Sequence, residues 1–178
     1  MDDRLSKTEW LEHGLKVLAL GGFPSMKAAP LARSLNVSRG SFYWHFKDIS
    51  AFRNEVLELW RVKTTVRVID DLDNQHTPKE RLKALIFRAG RAEFQLERAV
   101  RAWATQDSNA TKMVESVDQE RIQFIIELLR AERFPKQKAH DRALILYWAY
   151  LGKNMTAHSS DTTSDGSTFD EIFALIMC

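Results

Sequence analysis

KAAPLARSLNVSRGSFYWHF, residues 27–46, is the stretch whose reading decides the fold. Leu31, Ala32 and Leu35 share one face at helical spacing, Val37 stands in a polar gap, and Phe42 and Phe46 recur four apart. That pattern predicts two short helices over one small core, a helix-turn-helix. Pro30 lacks an N–H and clashes with the carbonyl four residues back, so it belongs to the opening turn of the first helix, which starts no earlier than about Lys27. Asn36 ends that helix, because asparagine tolerates the left-handed conformation of a tight exit. Ser38 is placed to cap the second helix. Phe42 and Phe46 then point inward, while Arg39, Gly40, Ser41, Tyr43 and Trp44 lie on or near the outer face.

That outer face suits DNA. Lys27, Arg33, Arg39 and Lys47 are the only Lys, Arg, Asp or Glu residues from 27 to 47, so the segment is cationic in a chain whose net charge is only +2. At a helix start, Arg39 can read guanine edges and the Ser41 hydroxyl can take phosphate or base. Glycine inside a helix costs about 1 kcal/mol against alanine. Gly40 therefore marks either close approach to a groove or tight packing between the two helices. Tyr43 is expected outside; Trp44 is equally compatible with core and surface.

The string VSRGSFYWHFKD, Val37–Asp48, preceded by the Leu31-Ala32 pair and by an amphipathic first helix ending in GGF, resembles the TetR (tetracycline-repressor-like) transcriptional regulators. The resemblance implies an all-α chain with a helix-turn-helix over Lys27–Phe46. It also implies DNA contacts from Lys27, Ser38, Arg39, Gly40, Ser41, Tyr43, Trp44 and Lys47, the last opening the next helix. Lys27 stands where the family usually has a threonine cap, and Ala29 where it often has a basic residue, so that a phosphate contact is either lost or moved to Lys27.

Composition agrees with a globular regulator: of 178 residues 44% are apolar and 28% charged, enough to build a core and far from a chain that coats nucleic acid with charge. Cys178 is the sole cysteine, so no internal disulfide forms and a reducing cytoplasm is expected. The charged start MDDRLSKTEW has no leader character, and the longest apolar run, Leu144 to Leu151, is too short for a membrane span.

In chain order, Ser6 and Glu9 form a capping box for a first helix with Leu11, Leu15, Leu18 and Ala19 as its buried stripe, ended by Gly21-Gly22. With the next two helices this makes a three-helix DNA-binding head, domain 5–50. A larger helical body over 51–178 serves ligand binding and dimerisation, giving about nine helices in all. A long helix from Asp48 or Ser50 runs towards Leu72, weakened by the branched side chains of Thr64-Thr65-Val66. Residues 70–77 read as a loop. Thr77-Pro78-Lys79-Glu80 starts a helix carrying Leu82, Leu85, Ile86, Ala89 and Phe94. Residues 97–104 form a short helix. Ser108 or Asn109 caps a long one to about Ala131, and Phe134-Pro135 breaks it. A helix from about Lys136 to His158 follows, then a mobile linker over 159–167, then a last short helix opened by a capping box at Thr168–Glu171.

The 136–158 helix is apolar around most of its middle, which calls for a second subunit over it. Leu144, Trp148, Leu151, Gly152, Met155, Phe169, Ile172, Phe173 and Ile176 are the expected homodimer surface, and the resemblance implies a four-helix interface from the last two helices. A pocket between body helices would draw on Trp60, Phe87, Phe94, Trp103, Met113, Phe124 and Tyr147, although aromatic residues at helical spacing more often simply fill a core. The function expected is a repressor released from a palindromic operator by a small apolar or aromatic effector. The alternative is a helical small-molecule-binding protein or enzyme with a vestigial head. No metal set is visible among the five histidines, no cofactor or phosphate-binding motif occurs, and no catalytic residue is nominated. Asp118 with Arg121, and Asp141 with Arg142, read as surface pairs rather than acid–base groups.

Overall fold

The computed structural model describes residues 5–73, 77–156 and 166–178, and these are helical with no strand among them. The elements are α1 (Lys7–Gly21), a 3-10 turn (Phe23–Ser25), α2 (Ala28–Ser34), α3 (Arg39–His45), α4 (Ile49–Arg61), a π turn (Val62–Val66), α5 (Arg67–Asp73), α6 (Pro78–Arg91), α7 (Gln95–Ala104), α8 (Ser108–Ala131), α9 (Lys136–Thr156) and α10 (Gly166–Met177). Because α4, the π turn and α5 follow without a gap, the described residues hold nine uninterrupted helical stretches besides the 3-10 turn.

Two compact units divide the chain: Met1–Thr64 with Phe94–Ser116, and Thr65–Glu93 with Val117–Cys178. The first thus takes in α7 and the start of α8 as well as the head. Its core is aromatic. Trp10, Phe42, Phe46 and Phe52 are all at most 2% exposed. Their rings meet at 5.5 Å (Trp10–Phe42), 5.2 Å (Phe42–Phe46), 5.4 Å (Phe42–Phe52) and 4.9 Å (Phe46–Phe52), mostly edge to face. Trp10 falls outside the leucine stripe read from the sequence, and it is the largest buried side chain of α1. Gly14 lets α1 lie close on α4: a Cβ there would stand 2.7 Å from Phe52 Cζ and 2.8 Å from Val56 Cγ2.

The second unit is aliphatic by contrast. Leu82 and Ile86 of α6, Ile125, Leu128 and Leu129 of α8, Ala139, Ala143 and Leu146 of α9, and Phe169 and Ile176 of α10 form one buried cluster. Phe169 lies over Gly90, where a Cβ would meet its ring at 2.3 Å. Lys153 donates to the Gly90 carbonyl and stands 5.1 Å from the Phe169 ring centroid; burial pulls its ammonium pKa below the ordinary lysine value. Polar groups are knitted into the same unit. Tyr147 Oη donates to Asp118 at 2.6 Å, and Arg121 Nε donates to the buried Thr65 Oγ1 at 2.9 Å. Asp118 and Arg121 are half-buried, the one bonded to Tyr147 and the other to Thr65.

The capping predictions divide. Ser6 and Glu9 form the full box, with Ser6 N–H donating to Glu9 Oε2 at 2.7 Å and Glu9 N–H to Ser6 Oγ at 3.2 Å. The Ser6 N–H, and after it the Ser6 hydroxyl, which donates to the same oxygen at 2.8 Å, hold the Glu9 carboxyl below its ordinary pKa. Thr77 accepts from Glu80 N–H at 3.2 Å. The α8 cap, however, is Asp107, not Ser108 or Asn109: its Oδ1 takes the amides of Asn109 at 2.9 Å and Ala110 at 3.0 Å. A carboxylate outcompetes a neutral side chain where several orphan amides converge. The weak Thr64-Thr65-Val66 segment is the π turn, with Thr64 Oγ1 donating back to the Trp60 carbonyl at 2.8 Å.

Boundaries shift elsewhere. Helix continues to Asp73, inside the predicted 70–77 loop, while 74–76 lie outside the described residues. α6 stops at Arg91, and Phe94 is the N-cap residue of α7 instead of the end of α6. α10 starts at Gly166, so Gly166 and Ser167 are helical rather than linker and Thr168 is inside the helix rather than its cap. Residues 157–158 of the predicted ninth helix and 159–165 of the linker lie outside the described residues.

Candidate nucleic-acid interface

Apart from the Ser38 cap, the helix-turn-helix is built as its sequence predicts. Leu31 and Ala32 are buried on α2, Phe42 and Phe46 pin α3, and Asn36 has φ 55° at the exit from α2. Val37 N–H returns to the Ala32 carbonyl at 3.0 Å, closing the turn. Ser38 has the extended backbone of an N-cap (φ −69°, ψ 152°), yet its hydroxyl accepts no helix amide; its carbonyl takes Ser41 N–H at 3.1 Å instead. The Ser38 side chain is exposed and no cap bond claims it.

The face of α3 turned away from Phe42 is open. Arg39 and Gly40 are exposed, Ser41 is half-buried, and Tyr43 and Trp44 are 47% and 74% exposed. Such exposure decides the position of Trp44: it is a surface indole, not core. Arg39 Nη2 donates to Tyr43 Oη at 3.0 Å, and the guanidinium carbon stands 5.4 Å from the Tyr43 centroid, so the two side chains form one flat, cationic plate. A Cβ on Gly40 would meet only Ser38 Oγ, at an ordinary 3.5 Å. Helix–helix packing thus gives no reason for a glycine there. Lys27 is exposed at the N-cap of α2, and no side-chain bond caps that helix. Lys47 is exposed but does not open α4, since Asp48 is the N-cap, accepting from Ala51 N–H at 2.8 Å.

Two histidines brace the head. His45 Nε2 donates to the Leu5 carbonyl at 2.7 Å. The Ser34 hydroxyl donates to the Leu31 carbonyl at 2.9 Å, so it accepts from His13 Nε2, 2.6 Å away. Burial, with Lys16 nearby, lowers the His13 pKa below the ordinary histidine value.

The residues nominated for a pocket divide between the units. Trp60, Phe94 and Trp103 are buried in the first and Met113 is partly buried there; in the second, Tyr147 is buried and Phe87 and Phe124 are partly buried. Of these only Met113 lines a cleft of about 400 Å³ in the first unit, with Asn54, Leu57, Glu58, Arg61, Asn109, Lys112 and Ser116 around it. That polar rim was not legible in the sequence, because it needs α4 and α8 side by side.

On the last two helices, Trp148, Gly152 and Met155 are exposed together with Ile145, at helical spacing along α9, and Leu144 and Leu151 flank them half-buried. A Cβ on Gly152 would meet nothing within 4 Å. Phe169 and Ile176 are 3% and 5% exposed inside the chain's own aliphatic core; Ile172 and Phe173 are partly buried against it. Phe169 and Ile176 are thus covered from within the chain, because α10 folds onto α6 and α9.

The helix-turn-helix with its open α3 face marks a DNA-binding transcriptional regulator. Residues 11–56 match the profile of the bacterial regulatory proteins of the tetR family. The fold of the chain is also similar to solved structures. The reduced form of Escherichia coli NemR is 18% identical over 96% of this chain and 95% of its own, with TM-score 0.78. A protein from Saccharomonospora viridis described as a transcriptional regulator, in complex with choline, is 17% identical over 96% and 92%, with TM-score 0.76. A TetR transcriptional regulator from Legionella pneumophila is 12% identical over 99% and 97%, with TM-score 0.71. Comparison with curated proteins found no match.

Proposed function

We propose that the chain is a cytoplasmic repressor that binds a palindromic operator as a homodimer and leaves it when a small apolar or aromatic effector is bound. The observation that carries the reading is the pairing of two unfilled surfaces. One is the Arg39–Tyr43 plate with Gly40 and Trp44 on α3; the other is the apolar stripe of Ile145, Trp148 and Met155 on α9. A monomer gains nothing by exposing three such side chains in line, whereas a second copy would cover them. Twofold pairing would set two α3 helices about 34–36 Å apart, one turn of DNA, so that each enters a major groove.

Lys27 and Lys47 would then hold phosphate, while Arg39, Ser41, Tyr43 and Trp44 face base edges or sugar. No helix among the described residues is long and apolar enough to cross a membrane. For the effector, the choline complex of the Saccharomonospora viridis relative supports small-molecule control in this fold. An effector would lower DNA affinity through a coupling free energy of about 1–3 kcal/mol. Selection of bound sequences from random duplex DNA at fixed salt tests the reading. An inverted repeat with half-sites one turn apart is expected; recovery of no preferred sequence would favour a binding protein or enzyme with an idle head.

A further inference from the structure

The entry to the helix-turn-helix is held from outside by a file of stacked side chains. Trp103 of α7, 1% exposed, lies flat on Phe23 of the 3-10 turn, with centroids 5.1 Å apart and planes 13° from parallel. On Phe23 rests the Arg53 guanidinium of α4, its carbon 4.6 Å from the ring centroid. Arg53 Nε and Nη2 both donate to the Met26 carbonyl, at 3.1 Å and 2.7 Å. Met26 immediately precedes Lys27, the N-cap of α2.

The start of α2 explains why that carbonyl needs an outside donor. Met26 lies one residue before the N-cap, outside α2, where the first intrahelical bond runs from Leu31 N–H to the Lys27 carbonyl, so the helix offers the Met26 carbonyl no amide. The fork of Arg53 supplies two donors in one plane, a geometry lysine cannot copy. Arg53 also feels Asp107, the carboxylate that caps α8; this attraction works against the burial that lowers the arginine's pKa. The end of α7, the start of α8, α4 and the first turn of α2 thus converge on one side chain, all inside one compact unit.

We propose that Arg53 is the positioning residue of the DNA-reading helix pair, and that the Trp103–Phe23–Arg53 file carries a displacement at the α7–α8 junction to the start of α2. A movement of α7 that lifts Trp103 from Phe23 frees Arg53, and the Met26 carbonyl then loses its donors. The inference rests on the DNA-binding reading only in its functional arm.

Hydrogen exchange on the full chain tests it, comparing the wild type with Trp103→Leu, Trp103→Phe and Arg53→Lys. Trp103→Leu and Arg53→Lys are expected to speed exchange of the Leu31–Leu35 amides by roughly tenfold or more while the Leu15 and Leu18 amides of α1 keep their protection. Trp103→Phe, which keeps a ring on Phe23, should leave α2 near wild type. Acceleration confined to α7 and Phe23, or equal acceleration across α1 and α2, would overturn the relay. In the functional arm, affinity for a duplex selected by the wild type should fall about tenfold or more in Arg53→Lys. Unchanged affinity would overturn the positioning role. If the wild type selects no duplex, the regulator reading falls, and the exchange data still decide the relay.

Discussion

The cores of the two units solve the same problem with different side chains. Around Phe42, rings meet edge to face at 4.9–5.5 Å, and each fixes the orientation of the next. Around Leu129, branched aliphatic chains from α6, α8, α9 and α10 fill space without such angular demand. Under the proposed function, a surface that presents Arg39 and Tyr43 to a groove at one angle would gain from the first kind of core. A body that took up a ligand or a partner would tolerate the second, in which hydrophobic side chains of similar volume replace one another at small cost.

The largest effect that would break this contrast is truncation. Phe42→Ala should cost about 3–5 kcal/mol in urea unfolding and Leu129→Ala about 2–5. The contrast is sharpened by shape-keeping swaps: Leu129→Met should cost less than about 1.5 kcal/mol, and Phe42→Leu clearly more. Equal costs for the two swaps would remove the distinction. Next in size is glycine. Gly90→Ala drives a Cβ into the Phe169 ring and should destabilise the body by about 1–3 kcal/mol. Gly40→Ala meets open space; it should leave stability unchanged or raise it by up to about 1 kcal/mol while weakening operator binding. If operator affinity survives Gly40→Ala, close approach is not the reason for that glycine.

Within the body, Thr65→Val leaves the Arg121 Nε donor without its hydroxyl and should cost about 1–3 kcal/mol, read as a lower urea midpoint. The smallest expected effect is a pH dependence in the head. His13 has a lowered folded pKa, so the stability it contributes is present above its unfolded value near 6.5 and lost as pH falls through the folded value. Melting temperature should drop more for the wild type than for His13→Gln between pH 7 and 5; equal slopes would remove His13 from the account.

Much of the head was legible because its signals are local. Pro30 excludes positions by lacking an N–H, Asn36 marks a left-handed exit, and Phe42 and Phe46 one turn apart fix which face of α3 is inward. The same logic failed wherever a neighbour's identity mattered. Asp107 outcompeted Ser108 and Asn109 because several amides converge on it, and Thr168 cannot cap a helix that has already begun at Gly166. Periodicity alone places Phe94 on α6, because it cannot see the extended Ala92 that ends that helix. A leucine stripe satisfies the helical period of α1 without Trp10, so spacing does not single that residue out.

By itself the sequence determined an all-helical chain, the helix-turn-helix and the residues on its outer face, since spacing, proline chemistry and capping act over one or two turns. Only the tertiary structure decided that Trp44 is exposed, that Gly40 has room to spare, that Phe169 covers Gly90, and that Arg53 donates to the Met26 carbonyl. Those facts depend on which helix faces which across tens of residues. Helical periodicity places a side chain on a face but carries no information about what stands opposite it.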